Sequence, residues 1–263
     1  KRVRNDAFFF QSFKLGDRME VIDFTLVYNS LSFAIATFGA SSVFFFVQRS
    51  QVAPAYKTAL TLSGLVCLIA FYHYLRMFES FNDAYTLTYG QVVASGSQFN
   101  VAYRYVGWLL TVPLLLLELV LVMRLSKEET FSRGMKLVFA AIIMVILGYP
   151  GEGLVDASQL GDRLMYWLLA MIPFVYILYN LTKGLGDAIL KQPKNVQGIV
   201  SKARWLLIGS WAFYPIIYLF PMINSDASYV NIQVGYTMAD IVSIGIFGVM
   251  IYMIAQRKSD AGA

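Results

Sequence analysis

The chain has 263 residues, of which 58% are hydrophobic and 14% charged, and its mean hydropathy is +0.59. A soluble domain usually has about a quarter of its residues charged, and one soluble core cannot hide this much apolar surface. The net charge of +5 would suit nucleic acid, but the cations gather in alternate loops, so the charge reflects membrane topology and no nucleic-acid partner is expected.

Lys1 to Arg18 hold no apolar signal-peptide core, and residues 1–20 are expected to form an extracellular N-terminal segment. Seven apolar stretches follow, near 21–47, 56–78, 100–124, 133–150, 160–183, 200–222 and 230–256. A spanning helix needs roughly 20 residues, so the fourth stretch is near the minimum. Helices are expected because lipid leaves no water for unpaired backbone, and the stretches lack the alternation of barrel strands. Residues 257–263 are expected to be a cytoplasmic tail. With no linker or low-complexity tract, residues 1–263 read as one domain. The fold class expected is an all-α membrane protein, a seven-transmembrane-helix bundle. Its partner is the lipid bilayer, and its place a cell (inner) membrane crossed several times.

The loops give the orientation. The first, third and fifth loops and the C-terminal tail contain Arg49, Lys57, Arg124, Lys127, Arg133, Lys136, Lys183, Lys191, Lys194, Lys202, Arg204, Arg257 and Lys258. The even loops and adjoining helix ends contain only the cations Arg76 and Arg163, beside Glu79, Asp83, Glu152, Asp156, Asp162 and Asp226. Positive charge stays cytoplasmic, which puts the N-terminus outside. Lys1, Arg2 and Arg4 run against this bias, which the loops outweigh. The single cysteine, Cys67, falls in an apolar run and reads as a small buried hydrophobe.

Ionisable groups within a span carry a functional hypothesis by default. Here they are His73 on the second span, Arg104 and Glu118 on the third, and Asp240 on the seventh. Arg104, Gly107, Thr111 and Glu118 follow steps of 3, 4 and 7 and share one helix face, which must look into the bundle. Arg104 then needs a buried anion, and Asp240 is the candidate. That pair is either a structural tie or the lining of an ion or proton route. Glu118 is either an inward proton donor or a satisfied interhelical hydrogen bond. On the sixth span Trp211, Tyr214, Pro215 and Tyr218 form an aromatic stripe beside a proline kink. Such a stripe suits a flat apolar ligand or is plain packing, and Trp108 could face it across the bundle.

Arg104-Tyr105 with Trp108, Thr111, Pro113 and Glu118 resembles the third helix of the microbial rhodopsins. Trp211, Tyr214 and Pro215 resemble their sixth, and Tyr236 and Asp240 their seventh. The runs FNVAYRYVGWLLTVPLLL, GYPGE at 148–152, IPFVYILY at 172–179 and QVGYTMAD at 233–240 are similar to the proteorhodopsin-like proton-pump branch. The resemblance implies a bacteriorhodopsin-like bundle. It implies a retinal pocket lined by Trp108, Thr111, Met144, Gly148, Trp211, Tyr214, Pro215, Tyr218, Asp240 and Ile244. In that family a helix 7 lysine, four residues after the aspartate, forms a protonated Schiff base with all-trans retinal. A helix 3 aspartate just before the tryptophan takes the proton.

This sequence departs from the family at both positions. Ile244 stands four residues after Asp240, and all ten lysines lie in tails, loops or helix ends. Gly107 precedes Trp108 where the family has its aspartate. The two losses match, because a carboxylate kept for a buried cation becomes an uncompensated charge once that cation is gone. His73, Arg104, Gly107, Glu118 and Asp240 then read as a vestigial proton pathway. Some relatives open a window for a carotenoid with a helix 5 glycine. Trp167 stands at the matching place here, so no carotenoid is expected.

Three functions follow. The chain is an interaction or regulatory homologue forming homo-oligomers or hetero-oligomers with other rhodopsins. Or it is a light-driven proton pump or photosensory rhodopsin whose lysine is missing by engineering or by handling of a retinal-modified residue. Or it binds retinal or another apolar molecule non-covalently. No zinc spacing, phosphate-binding glycine loop or nucleophile–histidine arrangement is present, so neither a metal site nor an enzyme is expected.

Overall fold

The computed structural model describes residues 19–223 and 228–262. Lys1, Arg2, Arg4, most of the proposed extracellular segment, Asp226 and the last residue of the tail lie outside the described residues.

Seven long helices stand among the described residues. They are α1 (Val21–Gln48), α2 (Lys57–Ala84), α3 (Ala102–Met123), α4 (Lys127–Glu152), α5 (Leu160–Tyr179), α6 (Lys194–Tyr218) and α7. The last is continuous through three parts: Ser228–Asp240, a wide π-helical stretch Ile241–Ile246, and Phe247–Asp260. Consecutive helices pack side by side, and α7 closes the ring against α1.

The ring is apolar outside as well as inside. Ile22, Phe33, Val43, Leu68, Ile172, Val175 and Ile216 all face outward. Soluble monomers rarely show such continuous apolar surface, and lipid requires it. Six of the helices are long and apolar enough to cross a membrane. The exception, α6, carries Lys194, Lys202 and Arg204 in its cytoplasmic turns and a tryptophan–tyrosine stripe above them. The protein is a multi-pass membrane protein.

Local chemistry moves two expected boundaries. α4 is no minimum span near 133–150. It starts at Lys127 because the Ser126 hydroxyl accepts the Glu129 N–H at 3.1 Å, and Glu128 and Glu129 suit the positive end of the helix dipole. α2 runs past residue 78 to Ala84, so Glu79 and Asp83 lie on its final turns rather than in a loop. The loop beyond it forms a hairpin, β1 (Tyr85–Thr88) against β2 (Gln91–Ala94). Tyr89 and Gly90 turn the corner with φ of 50° and 73°. Two successive positive φ values give the turn whose twist matches an antiparallel pair.

Candidate functional site

The inward face of α3 is the one its spacing predicts. Arg104, Gly107, Thr111 and Glu118 are buried, while Val106 and Leu110 face lipid. α3, α4, α5, α6 and α7 enclose a cavity of about 110 Å³. All ten pocket-like residues of the sequence reading line it: Trp108, Thr111, Met144, Gly148, Trp211, Tyr214, Pro215, Tyr218, Asp240 and Ile244. Trp167 lines it too, and its indole N–H donates to the Pro215 carbonyl at 3.0 Å, bridging α5 and α6.

Asp240 holds the centre and is 2% exposed. Tyr74 donates to Oδ2 at 2.7 Å, and Trp108 and Tyr214 donate to Oδ1 at 2.9 and 2.5 Å. Tyr214 also lies 2.8 Å from Ser243. Its one proton goes to Asp240, so Ser243 donates to Tyr214. The aromatic rings pack on one another around this knot. The Trp108 ring meets Tyr214 and Tyr236 edge-on at 5.2 and 5.0 Å.

Arg104 does not pair with Asp240, contrary to the sequence expectation. Its Nη1 donates to Gln233 at 2.7 Å, and its guanidinium lies 5.3 Å from the Tyr236 ring. Among the described residues its Nε and Nη2 have no hydrogen-bond partner. The reason is depth. Gln233 precedes Asp240 by seven residues on the same face, about 10 Å farther out along the helix. Arg104 precedes Trp108 by one turn in the same outward direction, so it reaches the amide before the carboxylate.

The other members of the supposed proton pathway sit apart. A Cβ at Gly107 would lie 3.4 Å from the His73 side chain, so His73 packs directly against that position. Its Nδ1 is unpartnered among the described residues. Glu118 is fully buried and accepts the Ser63 hydroxyl at 2.8 Å. Among the described residues it has no cationic partner.

Two groups read as loop charges are buried. Arg163 is 0% exposed and Glu152 2%. They form an ion pair at 3.7 Å, and Arg163 also donates to the carbonyls of Gly151, Glu152 and Tyr218. Tyr105 and Tyr236, which line the cavity, donate to the Glu152 carboxylate at 3.0 and 3.4 Å. This cluster forms the cavity's outer floor. At the cytoplasmic end Lys258 is 3% exposed and donates to Val122, Met123 and Gln192. It satisfies the last carbonyls of α3, a helix-capping role.

Seven membrane-crossing helices around an apolar cavity, with aromatic walls and a buried central carboxylate, define the class of the seven-helix membrane bundle with an internal pocket. The sequence matches the family described as Bacteriorhodopsin-like protein over residues 26–257. It is 33% identical over 236 residues to the green-light absorbing proteorhodopsin of Gamma-proteobacterium EBAC31A08, covering 88% of each chain. The fold superposes on the crystal structure of xanthorhodopsin, a light-driven ion pump with dual chromophore. The TM-score is 0.88 at 46% identity, covering 94% of this chain and 98% of that one. A thermophilic rhodopsin structure matches with the same TM-score at 44% identity. This chain belongs to the microbial rhodopsin family.

The cavity's lining fits the flat apolar body of retinal, the group the resemblance implies. It does not fit covalent attachment. Among the described residues no lysine lines the cavity. Ile244 is 3% exposed in its wall. The nearest lysine on α7, Lys258, lies fourteen residues on, about 21 Å along the axis, and is engaged elsewhere.

Proposed function

We propose that this protein is a rhodopsin-family membrane protein that binds an apolar molecule non-covalently and carries out no covalent retinal photochemistry. Its role is binding rather than catalysis. The observation that carries this reading is the cavity itself: it persists with Ile244 in its wall, ringed by Trp108, Trp211, Tyr214 and Tyr218. Small-molecule sites are concave, mostly apolar and furnished with a few convergent polar groups. Gly107 in place of an acid supports the same reading, since a pocket without a covalent cation needs no second buried carboxylate.

Titration of the purified protein with all-trans retinal tests it. The expected result is saturable binding, seen as tryptophan quenching and a raised unfolding midpoint, with all retinal released on denaturation. A visible band that survives denaturation as a covalent adduct would overturn it in favour of a light-driven pump or sensor. No spectral or thermal response counts against retinal as an occupant.

A further inference from the structure

Asp240 is the one acidic group on the cavity wall among the described residues. Its three hydrogen-bond donors, Tyr74, Trp108 and Tyr214, are all neutral. Among the described residues it has no ion-pair partner. Arg104 makes no ion pair with it and places its Nη1 on Gln233. Ser243 is committed to Tyr214, which directs the Tyr214 proton at the carboxylate.

Most of the remaining lining is apolar, with Leu115, Met144, Phe174 and Trp211 among it. Beside Asp240 stand the rings of Trp108 and Tyr214, whose π faces attract cations. A purely neutral occupant would leave the carboxylate with only neutral groups in contact and Arg104 as a counter-charge farther out, in a water-poor site where such a charge is disfavoured. An anionic amphiphile would be repelled.

The geometry points to a ligand class: an amphiphilic cation, a protonated amine or quaternary ammonium on an elongated apolar body. The head sits at Asp240 and the body runs toward Trp211 and Met144. The assignment rests on the reading of the cavity as an apolar-ligand site, and it adds the charge of the ligand.

The test uses the full chain in zwitterionic-lipid nanodiscs, with empty nanodiscs subtracted for partitioning. The probes are dodecyltrimethylammonium, 1-dodecanol and dodecanoate, each below micelle-forming concentration. Binding is read from tryptophan fluorescence and the unfolding midpoint. The cation is expected to bind at least tenfold more tightly than the alcohol, with dodecanoate weakest. Asp240→Asn keeps an acceptor oxygen for Trp108 and Tyr214 and presents its NH2 to the Tyr74 hydroxyl, which can accept it, and it is expected to reduce the cation's advantage to less than twofold. Gly148→Phe, which projects a ring into the cavity, is expected to abolish binding of both.

If the alcohol matches the cation in the unaltered protein, the amine assignment falls while the apolar-site reading stands. If none of the three binds, both fall. Cation preference that persists unchanged in Asp240→Asn also overturns the assignment. The comparison of cation with alcohol decides the matter even where Asp240→Asn fails to fold.

Discussion

Trp108 of α3 donates its indole N–H to Asp240 of α7 at 2.9 Å, and Tyr214 of α6 shares the same oxygen at 2.5 Å. With Tyr74 of α2 on the other oxygen, four helices meet at one carboxylate, and the cavity opens beside it. The pocket's shape and the bundle's cohesion depend on the same few bonds.

Trp108→Phe keeps an aromatic ring and removes the donor. A hydrogen bond to a charged group contributes about 1.5–3 kcal/mol. Unfolding in denaturant should show a loss of that size. An unchanged stability would mean that Tyr74 and Tyr214 alone satisfy Asp240.

The Glu152–Arg163 pair is wholly buried, and removing one partner strands the other. Arg163→Met should cost about 3–5 kcal/mol. Glu152→Leu combined with Arg163→Met should cost less than the two single losses added, by about 0.5–3 kcal/mol of coupling. A double-mutant cycle on unfolding free energies measures this. Strict additivity would show that Arg163 acts only through the backbone carbonyls it holds.

Ser126→Ala removes the N-cap of α4. The expected loss is about 1 kcal/mol, with ligand binding unaltered because the cap lies at the far cytoplasmic end. A larger loss in circular-dichroism melts would mean that the cap nucleates the whole helix.

Ile244→Lys places an amine on the cavity wall, one turn past Asp240. On addition of all-trans retinal this variant should form an imine that borohydride fixes to the protein. The adduct should persist through denaturation and be seen by absorption and mass. Failure to form any adduct would show that the surrounding pocket, and not position 244 alone, excludes the chemistry.

Much of this was legible in the sequence. The buried stripe of α3 followed from helical spacing, because lipid does not tolerate Arg104 or Glu118 outside. The aromatic lining from Trp211 to Tyr218 followed from the same period. The partner of Arg104 was misread because opposite charge was weighed and axial depth was not. Gln233, Tyr236 and Asp240 share a face at steps of three and seven, and that pattern could have exposed the amide. Glu152 and Arg163 were misread because apolar stretches delimit spans by composition, and a charged pair that folds inward across α4 and α5 shortens the apparent stretch. The hairpin was missed because Tyr89-Gly90 lacks the asparagine or aspartate that usually marks its turn.

The wide stretch Ile241–Ile246 in α7 has a separate consequence. A π turn takes up one residue more than an α turn. Deleting one residue there would restore a regular helix and leave everything after it facing as before, whereas inserting one more beside it would rotate everything after it by about 100°. Phe247, Ile251 and Ile254, each 0% exposed, would swing out of the interior. Gly248, where a Cβ would come within 2.7 Å of the Phe45 ring, would no longer face α1, and Lys258 would leave the α3 carbonyls. The segment is therefore constrained by its residue count more than by its residue identities: a side chain such as that at 244 can be exchanged, or one residue lost, without turning the rest of the helix, whereas a single-residue insertion throws the cytoplasmic half out of phase.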